Sequence, residues 1–197
     1  MLFVFLLDPL VTIGSPAKYV EINRTLQGHF DSVAALLNPP DRILVAFIPA
    51  TPTPTTSDIL IYFAPIEFSI VSSFAGKARD PLLDDGDGFT SIRTATAAGV
   101  TTTSAASEVY TKTADSGILA ALAFHEAMHN KLALGNALHN GNGMAQAVVT
   151  AKTVVTPENA QQMAAAFRRP VTQFPAGVAL GVSRRLRRDA GDPLWYL

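Results

Sequence analysis

The chain has 197 residues and not one cysteine. Disulfides and thiolate metal ligands are therefore excluded, and any transition metal must be held by His and carboxylate groups. Charge is also scarce: charged residues make up 16% and the formal net charge is −1. That leaves no electrostatic basis for nucleic acid as the main partner. No uninterrupted apolar run approaches the ~18 residues of a transmembrane helix, so no membrane span is expected. The opening "MLFVFLLDPLVTIG" has no basic residue ahead of its apolar run, is interrupted by Asp8, and is followed by no clear small-residue cleavage site. It reads as a buried first strand rather than a signal peptide, which leaves a cytoplasmic location or export by a signal-independent route. The sequence sets no oligomeric state.

What is present is apolar. Hydrophobic residues make up 48%, enough at this length for one compact domain with a sizeable core. Residues 2 to 13 read as strand, and "KYVEI" as a candidate further strand. "TLQGHFDSVAALLN" (25 to 38) has helical apolar spacing and stops at Pro39-Pro40. "RILVAFIPA" (42 to 50), "DILIYFAP" and "EFSIVSSF" are rich in strand formers, with "TPTPTTS" as a linker and Pro65 as a tight junction. The Thr-, Ala- and Ser-rich stretch 89 to 113 reads as one or two exposed strands joined at Gly99, or as partly disordered.

From Ala114 the pattern becomes helical. "ADSGILAALAFHEAMHNKLALG" offers Asp115 and Ser116 as caps and Gly135 as the stop. "TPENAQQMAAAFRR" has Thr156 as N-cap, Pro157 at the first helical position and Glu158 in the first turn. "AGVALGVSRRLRR" is a candidate last helix. The layout is strands first (about 1–113) and helices last (about 114–197), in a single α+β domain with a mixed sheet.

His125-Glu126-Ala127-Met128-His129 matches H-E-x-x-H. On a helix, residues four apart lie ~40° apart around the axis and one turn along it, so both imidazoles can reach one metal. Glu126 is rotated ~100° from His125, placed to contact a water at the metal without being a ligand. With four His and five Glu in the chain, roughly 0.002 such matches are expected by chance. The competing reading is two structural histidines in a partly buried helix.

This stretch resembles the active-site helix of the zincin metallopeptidases, over about fifteen to twenty-five residues. The resemblance implies zinc ligands at His125 and His129, a general base at Glu126, and a protein or peptide substrate. In the metzincin pattern a glycine ends the helix, a third His follows six residues after the second, and a methionine turn lies under the metal. Here Gly135, His139 and Met144 occur in that order, but His139 is ten residues after His129. On a continuing helix His139 would lie ~15 Å away, so it joins the site as third ligand only if the chain reverses, for which Gly135 is the candidate. Met144 is a candidate Met-turn residue or ordinary core. The gluzincin-like alternative is a downstream carboxylate: Glu158, or Asp189 or Asp192.

Other features read more blandly. The loop "DPLLDDGDG" gathers Asp80, Asp84, Asp85 and Asp87; it suits a solvated acidic turn, with a Ca2+ site as the alternative. "RRLRR" is a solvated helix face unless it meets an acidic partner or membrane surface. His29 is structural. The segment 100 to 113, with Tyr110, is the candidate edge strand for pairing with an extended peptide. The function these readings favour is a zinc-dependent peptidase. The alternatives are a non-catalytic module whose metal pins a helix to its loop, and a zinc hydrolase of a non-peptide amide.

Overall fold

A computed structural model describes residues 1–49, 53–65 and 87–173 of the chain. Its elements are β1 (Leu2–Leu7), α1 (Pro16–Ala34), β2 (Ile43–Phe47), β3 (Ile59–Ala64), β4 (Gly88–Ala97), β5 (Val100–Tyr110), α2 (Ser116–Leu132), α3 (Pro157–Ala166) and β6 (Thr172–Gln173). Two single 3-10 turns, Asn136–His139 and Gly143–Ala145, lie between α2 and α3. The class is α+β, with a mixed sheet. Its strand order is β2-β1-β3-β5-β4, with β6 joined to β5. The pairs β1–β2, β1–β3, β3–β5 and β5–β6 are parallel, and β4 pairs antiparallel with β5.

Two expectations are corrected here. Strand β1 ends at Leu7 rather than Ile13, because the Asp8 carboxylate gathers the following loop. It accepts from Thr12 N and Ile13 N, both at 2.8 Å, and from the Tyr19 hydroxyl at 2.7 Å. "KYVEI" is helix, not strand. Ser15 caps α1, Pro16 occupies its start, and Ile22 opens the buried stripe Ile22, Leu26, Phe30, Val33. A helix thus stands between β1 and β2, and a strand, β6, follows the last described helix. The parallel pair β1–β2 needs such a crossover, which α1 supplies.

α2 lies on one face of the sheet, with α1 and α3 beside it. Phe124 of α2, Phe30 of α1 and Phe167 just after α3 form the aromatic centre. Their ring centroids are 5.0 Å (Phe30–Phe124) and 5.9 Å (Phe30–Phe167) apart. All three are fully buried, each contributing about 2–3 kcal/mol of hydrophobic stabilisation. His29 packs edge-on against Phe124 at 5.7 Å, which fits its structural reading. At β2, the end of the strand order, a side chain meets the backbone. Gln27 of α1 donates to Ile43 O and accepts from Val45 N, both at 2.9 Å, and so occupies backbone groups of β2.

β4 and β5 form a hairpin in continuous register from Gly88↔Val109 to Ala97↔Val100. Its two-residue turn, Ala98-Gly99, has φ of 50° and 77°, the geometry that matches strand twist in tight hairpins. The outer half of the hairpin is exposed, as expected. The inner half of β5 is not: residues 105–110 are buried, since β3 pairs with Ser107–Tyr110 on the side away from β4. Among the described strands, β4 is therefore the one that ends the sheet order beside α2. "EFSIVSSF" and "AGVALGVSRRLRR" lie outside the described residues.

Candidate metal centre

α2 begins at Asp115, whose carboxylate accepts from Gly117 N and Ile118 N. It ends at Leu132, with Ala133 as C-cap in the left-handed conformation (φ 54°, ψ 38°). The helix stop is thus Ala133, not Gly135, which has an ordinary negative φ of −77°. A left-handed alanine costs roughly 1–2 kcal/mol. The conformation is held by what the reversal delivers. Leu134 O folds back onto His129 and accepts from its Nδ1 at 2.5 Å. The turn Asn136–His139 then brings His139 back over the helix.

The three imidazoles converge through one atom each. Nε2 of His129 is 3.1 Å from Nε2 of His125 and 3.1 Å from Nε2 of His139, and the third side of the triangle is 3.3 Å. A tetrahedral zinc with Zn–N of 2.0–2.1 Å separates its nitrogens by ~3.3–3.4 Å, so the donor set fits such an ion. The tautomers agree. His125 Nδ1 faces Met144 O at 2.7 Å and His129 Nδ1 faces Leu134 O. A carbonyl can only accept, so each Nδ1 carries the proton and each neutral ring turns a lone pair inward from Nε2. Lone pairs gathered this closely repel one another unless a cation lies among them. Burial favours this form. It lowers the pKa of His125 to about 4 and also lowers that of His129, while the bonds to Met144 and Leu134 oppose the shift.

Met144 is buried core, and its carbonyl orients His125. Gly143 before it has φ of 60°, and a Cβ there would lie 2.5 Å from Thr156 Cγ2 and 2.6 Å from Asn159 Oδ1. Asn159, buried in the first turn of α3, accepts from Met144 N at 2.9 Å and donates to Asn142 O at 3.0 Å. The capping box of α3, formed by Thr156 and Asn159, is thereby fastened to the loop that aims His125. Thr156 and Pro157 act as the sequence suggested, but Asn159 was not singled out. The T-x-x-N spacing of a capping box was its available signal.

The carboxylate alternatives separate. Glu158 is exposed in the first turn of α3 and lies outside the convergent histidine group. Among the described residues, the one group of three or more metal-capable side chains is His125, His129 and His139. Asp189 and Asp192 lie outside the described residues, as do Asp80, Asp84 and Asp85 of the candidate Ca2+ loop. Asp87 of that loop is exposed and pairs with Lys112 at 3.7 Å.

The histidines and Glu126 line an open cleft of about 400 Å³. One wall is residues 87–90 at the start of β4, and the other is Gly135, Asn136 and residues 147–149. This corrects the edge-strand expectation. Tyr110 is fully buried with its hydroxyl on Glu108, and β4 rather than the segment 100 to 113 borders the site. Glu126 sits beneath β4: the Thr90 hydroxyl donates to its Oε2 at 2.6 Å, and a Cβ on Gly88 would lie 2.5 Å from its Oε1. Neither Gly88 nor Thr90 could be found from sequence, because strand register brings them to the helix. No helix among the described residues is long and apolar enough to cross a membrane. Comparison with protein-family models, with curated proteins and with solved structures finds no match to this chain.

Proposed function

We propose that the chain is a zinc-dependent peptidase. The observation that carries this reading is the convergence of three Nε2 atoms within 3.3 Å at the floor of a cleft that also contains Glu126. A structural metal site is closed by four protein ligands, whereas three histidines under an open cleft, the metal-capable group among the described residues, would leave a position for a reactant. A bound zinc ion would supply Lewis acidity, polarising a carbonyl and making a water more acidic.

The chain's own residues do the rest. His125 and His129 enter as neutral donors with their tautomers fixed by backbone carbonyls. His139 closes the set from the returning loop. Glu126 takes a proton from the attacking water and returns it to the leaving nitrogen. β4 forms one wall of the cleft, beside Glu126 and the histidines, where an extended peptide would lie along a strand.

The test is metal analysis of the purified chain together with digestion of casein and a peptide library. The reading expects one zinc per chain, cleavage abolished by Glu126→Gln with zinc retained, and zinc lost in His139→Ala. Zinc retained at full affinity in His139→Ala, or equal cleavage by Glu126→Gln, would overturn it.

A further inference from the structure

The Thr90 hydroxyl that meets Glu126 is the last link of a longer chain of polar groups, buried between the sheet and α2. Its 2.6 Å bond to Oε2 has the length of an O–H donor on a charged carboxylate. The same hydroxyl lies 3.2 Å from the backbone O of Glu126. Behind it, Ser107 Oγ is 2.9 Å away, on the residue paired with Thr90 across the hairpin. Asn130 Nδ2, from α2, reaches Ser107 Oγ at 3.0 Å and Gln173 Oε1 at 3.1 Å. Gln173 Nε2, from β6, reaches Asn130 Oδ1 at 3.1 Å and Val171 O at 3.2 Å. Gln173 Oε1 also accepts from Leu60 N at 3.2 Å.

Counting hydrogens orders these contacts. Asn130 Nδ2 has two protons, one for Gln173 Oε1 and one for Ser107 Oγ. Ser107 Oγ accepts from Asn130, and Thr90 Oγ1 points at Ser107 Oγ as well as at Glu126. Thr90 has one proton for these acceptors, and the shortest contact, 2.6 Å to the charged carboxylate, takes it. Ser107 and Asn130 are fully buried and Gln173 is 5% exposed, so water does not compete for the bonds among these three.

We propose that Thr90 is a positioning residue for Glu126, with Ser107, Asn130 and Gln173 as its fixed backing. The proposal rests on the reading of Glu126 as the proton acceptor. Thr90 touches none of the reacting atoms. It fixes the carboxylate in one rotamer at the cleft floor, and four elements (β4, β5, α2 and β6) hold Thr90 in turn.

The test uses the zinc-loaded full chain with Thr90→Val, Thr90→Ser, Ser107→Ala and Glu126→Gln. Two readouts are taken: kcat and KM on a fluorogenic peptide library, and the affinity for acetohydroxamate by calorimetry. Acetohydroxamate chelates the metal and hands a proton to the neighbouring carboxylate, so its binding reports the placement of Glu126 without any turnover. Thr90→Val should keep its zinc, lose about tenfold in kcat with KM within about twofold, and bind acetohydroxamate about tenfold more weakly. Thr90→Ser should stay within about twofold of the parent on both readouts, with Ser107→Ala between the two. Unchanged acetohydroxamate affinity in zinc-loaded Thr90→Val, or equal losses in Thr90→Val and Thr90→Ser, overturns the proposal. So does an affinity indifferent to Glu126→Gln. If Thr90→Val does not fold, Ser107→Ala decides by the same measure. A parent chain that cleaves nothing overturns the peptidase reading alone, since the acetohydroxamate series still decides the role of Thr90.

Discussion

His125 and Met144 are joined ring to backbone: Nδ1 of His125 donates to the Met144 carbonyl at 2.7 Å across nineteen residues. Asn159 holds the amide of that same Met144. Asn159→Ala should therefore act on the metal through two intermediaries. Loss of such an outer partner typically costs 10–100-fold in metal affinity. Zinc affinity measured against a competing chelator should fall by about that much, with about 1–3 kcal/mol lost in unfolding free energy for the buried groups left unpaired. An unchanged zinc affinity would break this link.

Metal-free chain should be acid-sensitive through His125. Its pKa is about 4 in the folded state against 6.5 ordinarily, so between those values the unfolded chain binds more protons. The stabilising contribution is complete above pH 6.5 and is lost as pH falls towards 4. Urea unfolding of chelator-treated chain should show roughly 2–3 kcal/mol less stability from this group at pH 4.5 than at pH 7.5. A pH-independent midpoint would contradict the burial of a neutral ring.

Lys131 gives the opposite test, at alkaline pH. It is fully buried, with Nζ donating to Thr56 O at 3.0 Å and Arg169 O at 3.3 Å. Burial lowers its pKa to about 8, against the pull of Asp58. Between about 8 and 10.5 the unfolded chain again binds more protons, so stability from this group rises with pH. The difference between the parent and Lys131→Met should shift in favour of the parent by roughly 1–2 kcal/mol between pH 8 and 9.5. Parallel pH profiles would refute it.

Gly88→Ala should disturb Glu126 without touching a histidine. The new Cβ would fall 2.5 Å from Oε1 and 2.9 Å from Cγ and Cδ of Glu126. One of the two must move, at about 1–3 kcal/mol for overpacking. Zinc content should be normal and peptide cleavage reduced at least about tenfold. Full cleavage by Gly88→Ala would mean that Glu126 need not stay where it is.

What could be read from sequence follows from how far apart the cooperating residues lie. His125, Glu126 and His129 share one helix, and helical spacing alone puts both rings on one side. His139 required a reversal, and the sequence directed attention to the glycine. The chain turns instead at Ala133, whose strained backbone is recognisable only once Leu134 O is seen on His129. Thr90 and Gln173 were out of reach for another reason: each meets α2 through sheet register, and register depends on pairings formed far away in the chain. "KYVEI" misled because β-branched and aromatic residues resemble a strand when read without Ser15 and Pro16 ahead of them.

The reversal after α2 has a thermodynamic consequence. A metal shared by His129 and His139 closes a loop of ten residues, and His125 extends the closure to the Met144 carbonyl and from there to α3. Such an ion would be a removable crosslink across the segment from Ala133 to Asn159, and its binding free energy would oppose local opening of that segment. Metal supply would set how often this part of the chain is exposed to a protease, while the sheet and α1 stay folded. Hydrogen exchange in residues 133–146 should thus track zinc concentration, whereas exchange in β1 and β3 should not.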